Sequence, residues 1–205
     1  MDSDTLIEQF VKAANSFGYD DADIEIGTLV HFKVKWVRSG DWIKMTVSDY
    51  LLALTPAAAY DIADGLFRQI TGEGITAPYY GRAAEELSSE AFARANQDTF
   101  AKRNCLDESP LAWREYQDLA MAQGVQLPAA MRVFVAPDGY EGDSTYPSMR
   151  VAIMPRDMAQ SGLDALAWIE DATVRIGKGH CGWKADAPDR YVRLSRGRWR
   201  RQIEA

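Results

Sequence analysis

Between residues 30 and 48 apolar and polar residues alternate on both sides of one turn signal, and this double alternation restricts the local fold more than any other feature of the chain. Val30, Phe32, Val34 and Trp36 alternate with His31, Lys33 and Lys35, while Ile43, Met45 and Val47 alternate with Lys44, Thr46 and Ser48. A period of two is that of a strand, and two such runs joined by a two-residue turn make an antiparallel hairpin. With Ser39-Gly40 as the loop, Trp36 faces Ile43, Val34 faces Met45 and Phe32 faces Val47, and His31 lies opposite Ser48 on the polar face. A slip of one residue would turn one strand's whole apolar set outward, so pattern and turn constrain each other.

The flanking segments read as helices. Leu6, Phe10, Ala13, Ala14 and Phe17 recur at helical spacing from Thr5 and stop at Gly18. Thr55-Pro56 combines a capping hydroxyl with a proline at the first helical position, where its missing N–H costs nothing. Ala59, Ile62, Ala63, Leu66, Phe67 and Ile70 then form a stripe that ends at Gly72. Further helices are expected from Ser89 to about Arg103, and from Ser109-Pro110 to Gly124. The period returns to two at Met131, Val133 and Val135, before the Pro137-Asp138-Gly139 turn, and again from Met149 to Met154. A last helix is expected from Ser161 to Ile176, with Gly177 and Gly179 ending it. Trp42, Trp113 and Trp168 lie in or beside these periodic segments and are expected in the core.

The expected fold class is therefore α+β, a small antiparallel sheet including the N-terminal hairpin packed with several helices. The chain has 205 residues and 47% apolar content, enough for one buried core. A single domain over residues 1–182 is expected, with a basic extension at 183–205 packed on it or continuing it. No stretch approaches the roughly 20 apolar residues of a membrane span, and Met1-Asp2-Ser3-Asp4 is acidic where a signal peptide is basic, so a cytoplasmic protein without membrane contact is expected. Cys105 and Cys181 do not make a secreted disulfide framework. The net charge of −7 opposes general affinity for polyanions. It hides an asymmetry, because residues 183–205 hold seven basic against three acidic residues, a net +4 set against −11 for the remainder.

The run Trp36-Val37-Arg38-Ser39, Ile43-Lys44-Met45 and Val47-Ser48-Asp49-Tyr50-Leu51, followed by the proline-initiated helix to Gly72, resembles the N-terminal part of SprT-like zinc metallopeptidases. The strand Ser148-Met149-Arg150-Val151-Ala152-Ile153 and the helix from Leu163 to Ile176 are similar to the strand and active-site helix of that family. The resemblance implies a zincin-like fold over most of the chain. It rests on framework motifs, not on chemistry. The family's chemistry uses a His-Glu-x-x-His helix, in which two histidines one turn apart hold zinc and the glutamate activates the bound water. The corresponding residues here are Ile169-Glu170-Asp171-Ala172-Thr173, so Glu170 is retained as a vestigial candidate and both histidines are replaced. Isoleucine offers no donor atom and threonine only a weak neutral one.

Other candidates carry an ordinary reading beside the functional one. His180 and Cys181 can each bind zinc, with Glu170, Asp171 or His31 as partners, but adjacent residues rarely serve one tetrahedral ion, and a plain Gly-rich loop accounts for them. The same pair as a thiol and its base lacks an orienting group. Glu170 and Asp171 would form a paired-carboxylate site only if they met, yet consecutive helical residues point about 100° apart. The glycines from Gly177 to Gly182 follow a helix and lack the Gly-Lys-Ser/Thr ending of a phosphate loop. In the tail, Arg190, Arg193, Arg196, Arg198, Arg200 and Arg201 are interleaved with Tyr191 and Trp199, which suits phosphates and stacked bases. The same arginines can instead pair with acidic residues such as Asp2, Asp4, Asp20, Asp21 and Asp23. The sequence thus points to a non-catalytic binding or scaffolding domain with a protein or peptide partner and no cofactor. The alternatives are a nucleic-acid-binding module acting through the tail and a metal-dependent hydrolase with a site rebuilt from Glu170, His180 and Cys181.

Overall fold

The computed structural model describes residues 1–30, 34–73, 81–108, 113–114, 117–118, 121, 127, 129–140, 145–154, 156, 191–194 and 198–201. The chain divides into two compact units, Met1–Asn96 and Gln97–Ala205. Within the described residues the protein is mixed α+β.

The first unit is built on a three-stranded sheet of order β1-β3-β2, with β1 at Asp21–Gly27, β2 at Val34–Ser39 and β3 at Trp42–Ser48. The hairpin is present, but its loop is Gly40-Asp41, so Ser39 pairs with Trp42, Trp36 with Met45 and Val34 with Val47. This corrects the sequence-derived register by two residues. The shift preserves which residues share a face, so the alternation cannot detect it. Turn chemistry decides instead, because Gly40 takes φ +61° and a two-residue hairpin with glycine first needs a positive φ there. The expected pairings of His31 and Phe32 fall outside the described residues.

The sheet is also not purely antiparallel. β1 runs parallel to β3, pairing Ile24 with Met45 and Ile26 with Val47, and it was not anticipated from the sequence. Its alternation of Ala22, Ile24 and Ile26 with Asp21, Asp23 and Glu25 is nonetheless that of a half-buried strand. The inner face of β3, Ile43, Met45 and Val47, is wholly buried.

Helix α1 (Ser3–Ser16) buries Leu6, Phe10, Ala13 and Ala14, as its spacing requires, and packs against β1 and helix α2 (Pro56–Thr71). Asp2 caps α1, its Oδ1 accepting from the Thr5 N–H at 2.8 Å, and hydrogen bonding with the Thr5 side chain, then with its backbone N–H, holds the Asp2 carboxyl below the ordinary value. Thr55 caps α2, with Oγ1 accepting from the Ala58 N–H at 3.3 Å, and Gly72 ends it in the left-handed region at φ +82°. A further helix, α3 (Gly81–Leu87), supplies Glu86, which accepts from the Thr55 N–H at 2.8 Å and from its hydroxyl. Glu86 thereby ties α3 to the start of α2. Phe67 is fully buried, stacked on Phe17 at 5.9 Å and tilted against Tyr19 at 5.6 Å.

Helix α4 (Glu90–Arg103) begins in the first unit and ends in the second. In the second unit, β4 (Arg132–Val135) runs parallel to β6 (Val151–Met154), and β5 (Thr145–Tyr146) pairs antiparallel on the other side of β6. All four residues of β6 are buried, as expected of a central strand covered on both faces. Gln97, 4% exposed, donates from Nε2 to the Ala130 carbonyl at 2.7 Å and to the Met149 carbonyl at 2.8 Å. These carbonyls sit at two left-handed turns, Ala130 at φ +58° and Arg150 at φ +47°, which lead into β4 and β6. One side-chain amide therefore serves the entry to both parallel strands. Of the helix expected from Ser109, the described residues Trp113, Arg114, Gln117, Asp118 and Met121 are helical. The helix expected over 161–176 lies outside the described residues. A separate two-stranded ribbon joins β7 (Tyr191–Leu194) to β8 (Arg198–Arg201).

Three outcomes test this architecture. Phe67→Ala is expected to destabilise the first unit by about 3–5 kcal/mol in chemical denaturation. Gln97→Met, which keeps the volume but takes the donor from one buried and one half-buried carbonyl, should cost about 2 kcal/mol. Because the folded-state pKa of Asp2 is depressed, its contribution is complete above the ordinary aspartate range and is lost as pH falls through the lowered value. The acid limb of a thermal-melt series should therefore flatten in Asp2→Asn.

Candidate functional site

β2 is the edge strand of the first sheet, and among the described residues no strand pairs with its outer side. In a two-residue hairpin the residues flanking the loop exchange both ladder hydrogen bonds. From Ser39 inward, Ser39, Val37 and Lys35 therefore bond to β3, and the backbone N–H and C=O groups of Arg38, Trp36 and Val34 point to the open side. The side chains around that edge are exposed as well. Trp36 is 43% and Val37 65% accessible, although the alternation sets Trp36 on the apolar face of the hairpin. Trp36 does lie on the inner-facing side, but β2 is flanked on one side only. The Arg38 guanidinium sits 6.0 Å from the Trp36 ring and donates to the Tyr19 hydroxyl at 2.9 Å.

The outer face of the same sheet has a different character. Lys44 lies 3.0 Å from Asp23 and 3.5 Å from Glu25, and the Thr46 hydroxyl donates to Glu25 at 2.8 Å. The hydrogen bond that Lys44 donates to Asp23 and the charges of the two carboxylates raise the Lys44 pKa. These groups satisfy one another in a ladder from β1 to β3, whereas the cations of β2 lie nearer the open edge.

A second concavity lies at the end of α1 and along α2. It is an open cleft of about 560 Å³ lined by Ser16, Phe17, Tyr60, Asp64, Arg68, Thr71 and Glu73. Arg68 crosses it, 2.8 Å from Asp64, 3.2 Å from Glu73, and with its guanidinium 5.6 Å from the Phe17 ring centroid. The Asp64 side chain is only 12% exposed, so the guanidinium compensates a carboxylate set into the buried stripe of α2.

Of the residues singled out by sequence, His31, Glu170, Asp171, His180, Cys181, Arg190 and Arg196 lie outside the described residues. Arg193, Arg198, Trp199, Arg200 and Arg201 are placed in β7 and β8. Among the described residues no group of three or more His, Cys, Asp or Glu side chains is arranged to hold a metal ion. No described helix is long and apolar enough to cross a membrane. Reading for chemical groups missed the β2 edge, whose binding groups are main-chain atoms; the exposed pair Trp36-Val37 is its only side-chain signal. It also missed Asp64 and Arg68, an (i, i+4) pair that the apolar stripe of α2 conceals.

No protein-family model matches the chain, and neither a curated protein nor a solved structure shows significant similarity to it. Function therefore has to be argued from its own residues.

Arg68→Met should destabilise the first unit by about 1–2 kcal/mol, since it leaves the Asp64 carboxylate short of a cation while Arg68 itself is partly solvated. In combination with Asp64→Asn the two losses should fall short of additive, and a double-mutant cycle measures that coupling.

Proposed function

We propose that this chain is a non-catalytic binding or scaffolding domain that takes up an extended peptide along the outer edge of β2, on a zincin-like fold of the SprT-like type that has lost its zinc ligands. The observation that carries the proposal is the open backbone edge at Val34, Trp36 and Arg38, flanked by exposed Trp36 and Val37. An added strand takes its affinity from main-chain hydrogen bonds and its selectivity from alternate side chains. Trp36 offers apolar area on one face of such a strand, and Val37 and Lys35 meet it on the other.

The metal-free part of the proposal rests on Ile169 and Thr173, where the resembling family has its two histidines. Without imidazole at those positions Glu170 has no metal-bound water to activate, and no hydrolytic step is derived for it.

Peptides selected from a phage-displayed dodecamer library against the full chain are expected to lose about tenfold in affinity on Trp36→Ala, from lost apolar contact. They should lose more on Trp36→Pro. Proline removes the outward N–H while leaving the β3 ladder intact, so the difference between the two variants isolates the backbone contribution. Equal binding by the two variants, with both still folded by circular dichroism, would overturn the edge as the site. Stoichiometric zinc in elemental analysis of the purified chain would overturn the loss of the metal.

A further inference from the structure

The first unit is acidic, with 15 Asp and Glu against eight Lys and Arg over residues 1–96, so its cations have carboxylates in good supply. Most of them take one. Lys44 pairs with Asp23 and Glu25, Arg68 with Asp64 and Glu73, Arg82 with Asp61 and Arg94 with Glu90, while Lys12 lies over the Tyr60 ring. The two cations of the edge strand differ. Among the described residues neither Lys35 nor Arg38 has a carboxylate partner, and Arg38 is held by the Tyr19 hydroxyl and the Trp36 ring.

Position along β2 decides what a further strand would meet. Successive strand residues alternate between faces, and directly opposed residues share one. An added strand therefore meets Lys35 and Val37 on the outer face of the sheet and Trp36 and Arg38 on the inner-facing side, and all four are exposed. Opposite Lys35, Trp36, Val37 and Arg38 in turn, the complement reads acidic, apolar, apolar, acidic. That pattern is unchanged on reversal, so it suits a strand added in either direction.

We propose that the β2 edge selects extended peptides in which two acidic residues flank two apolar ones. The inference rests on the peptide-binding edge proposed above and adds the class of partner. The two carboxylates pair with Lys35 and Arg38 on opposite faces of the added strand, and the central residues cover Trp36 and Val37. A basic segment meets two cations and no anion on β2. A second copy of β2 brings the same two cations again and is disfavoured for the same reason. The negative charge of the unit as a whole opposes an acidic peptide at long range, but salt screens it beyond about 8–10 Å, so selection falls to the local pairs.

The test uses the full chain and three fluorescein-labelled dodecapeptides that differ only in a central Glu-Val-Val-Glu, Gln-Val-Val-Gln or Lys-Val-Val-Lys, with anisotropy read at about 150 mM salt. The glutamate peptide should bind about fivefold tighter than the glutamine peptide, since each exposed cross-strand pair adds a modest amount, and the lysine peptide should bind weakest. Lys35→Glu combined with Arg38→Glu should invert that order. Equal affinity for the three peptides, each lost on Trp36→Pro, would overturn the acidic preference and leave the edge standing. Binding of the glutamate peptide that survives Trp36→Pro would overturn the edge itself. The absence of any binding by the glutamate peptide would overturn the proposal, as would an order of preference unchanged by the charge reversal. So would a concentration-dependent dimer of the free chain that Trp36→Pro dissolves, because the occupant would then be a second copy. Circular dichroism of each variant checks that the fold is unchanged.

Discussion

Strand β3 is the constraint on which the first unit depends. Its residues Trp42–Val47 are paired on both sides, to β1 in parallel and to β2 in antiparallel, and Ile43, Met45 and Val47 are withdrawn wholly from water. Burying three such side chains contributes on the order of 5–8 kcal/mol before entropy is counted, which no surface contact in the unit approaches. Because the inner face must be covered, α1 and α2 bring Leu6, Phe10, Ile62 and Phe67 into the core. Because β1 takes one side of β3 and the hairpin brings β2 to the other, the sheet ends at β2 among the described residues. The open edge is thus a consequence of how the core is built.

The second unit solves a harder connection with a polar device. Parallel strands cannot be joined by a tight turn, so β4 and β6 enter their pairing through separate left-handed turns at Ala130 and Arg150. Left-handed backbone costs about 1 kcal/mol or more at a residue with a Cβ. Gln97 offsets part of that cost by donating to a carbonyl at each turn from one buried amide. Asn96, the preceding residue of the same helix, does the equivalent in the first unit, donating to the Tyr50 and Phe92 carbonyls at 3.2 Å each. Consecutive amides on α4 therefore each donate to two main-chain carbonyls.

Local chemistry was legible in the sequence, and relations between distant segments were not. The caps at Thr55 and Gly72, the buried stripes of α1 and α2, and the strands β2, β3, β4 and β6 follow from spacing and turn residues within a few positions. Alternation assigns faces but is blind to a register shift of two, and the φ preference of Gly40 was the information needed to place the turn. β1 escaped notice because Asp and Glu are poor strand residues; only the cross-strand partners Lys44 and Thr46 make its acidic face stable. Trp36 shows the same limit from the other side, since a pattern reveals which face a residue occupies but not whether anything covers that face. The candidate site was hidden for a related reason. A search for donors, nucleophiles and ligands passes over unpaired main-chain groups, which every residue except proline carries.

An open edge is a hazard as well as a site, because it templates pairing with any exposed strand, including that of a second copy. The composition of β2 bears on which partner prevails. Val34-Lys35-Trp36-Val37-Arg38-Ser39 contains two cations and no anion. Two copies aligned edge to edge would bring four positive charges into one short ladder, and like charges across a strand pair are destabilising by roughly 0.2–1 kcal/mol each. An extended segment bearing a carboxylate meets the opposite condition: it gains the same main-chain hydrogen bonds and can also place an anion beside Lys35 or Arg38. Arg38 is already oriented by its bond to Tyr19 and by the Trp36 ring, so less of its side-chain entropy remains to be lost. On the proposed reading, the same two cations that discourage self-pairing would favour acidic peptides at the edge.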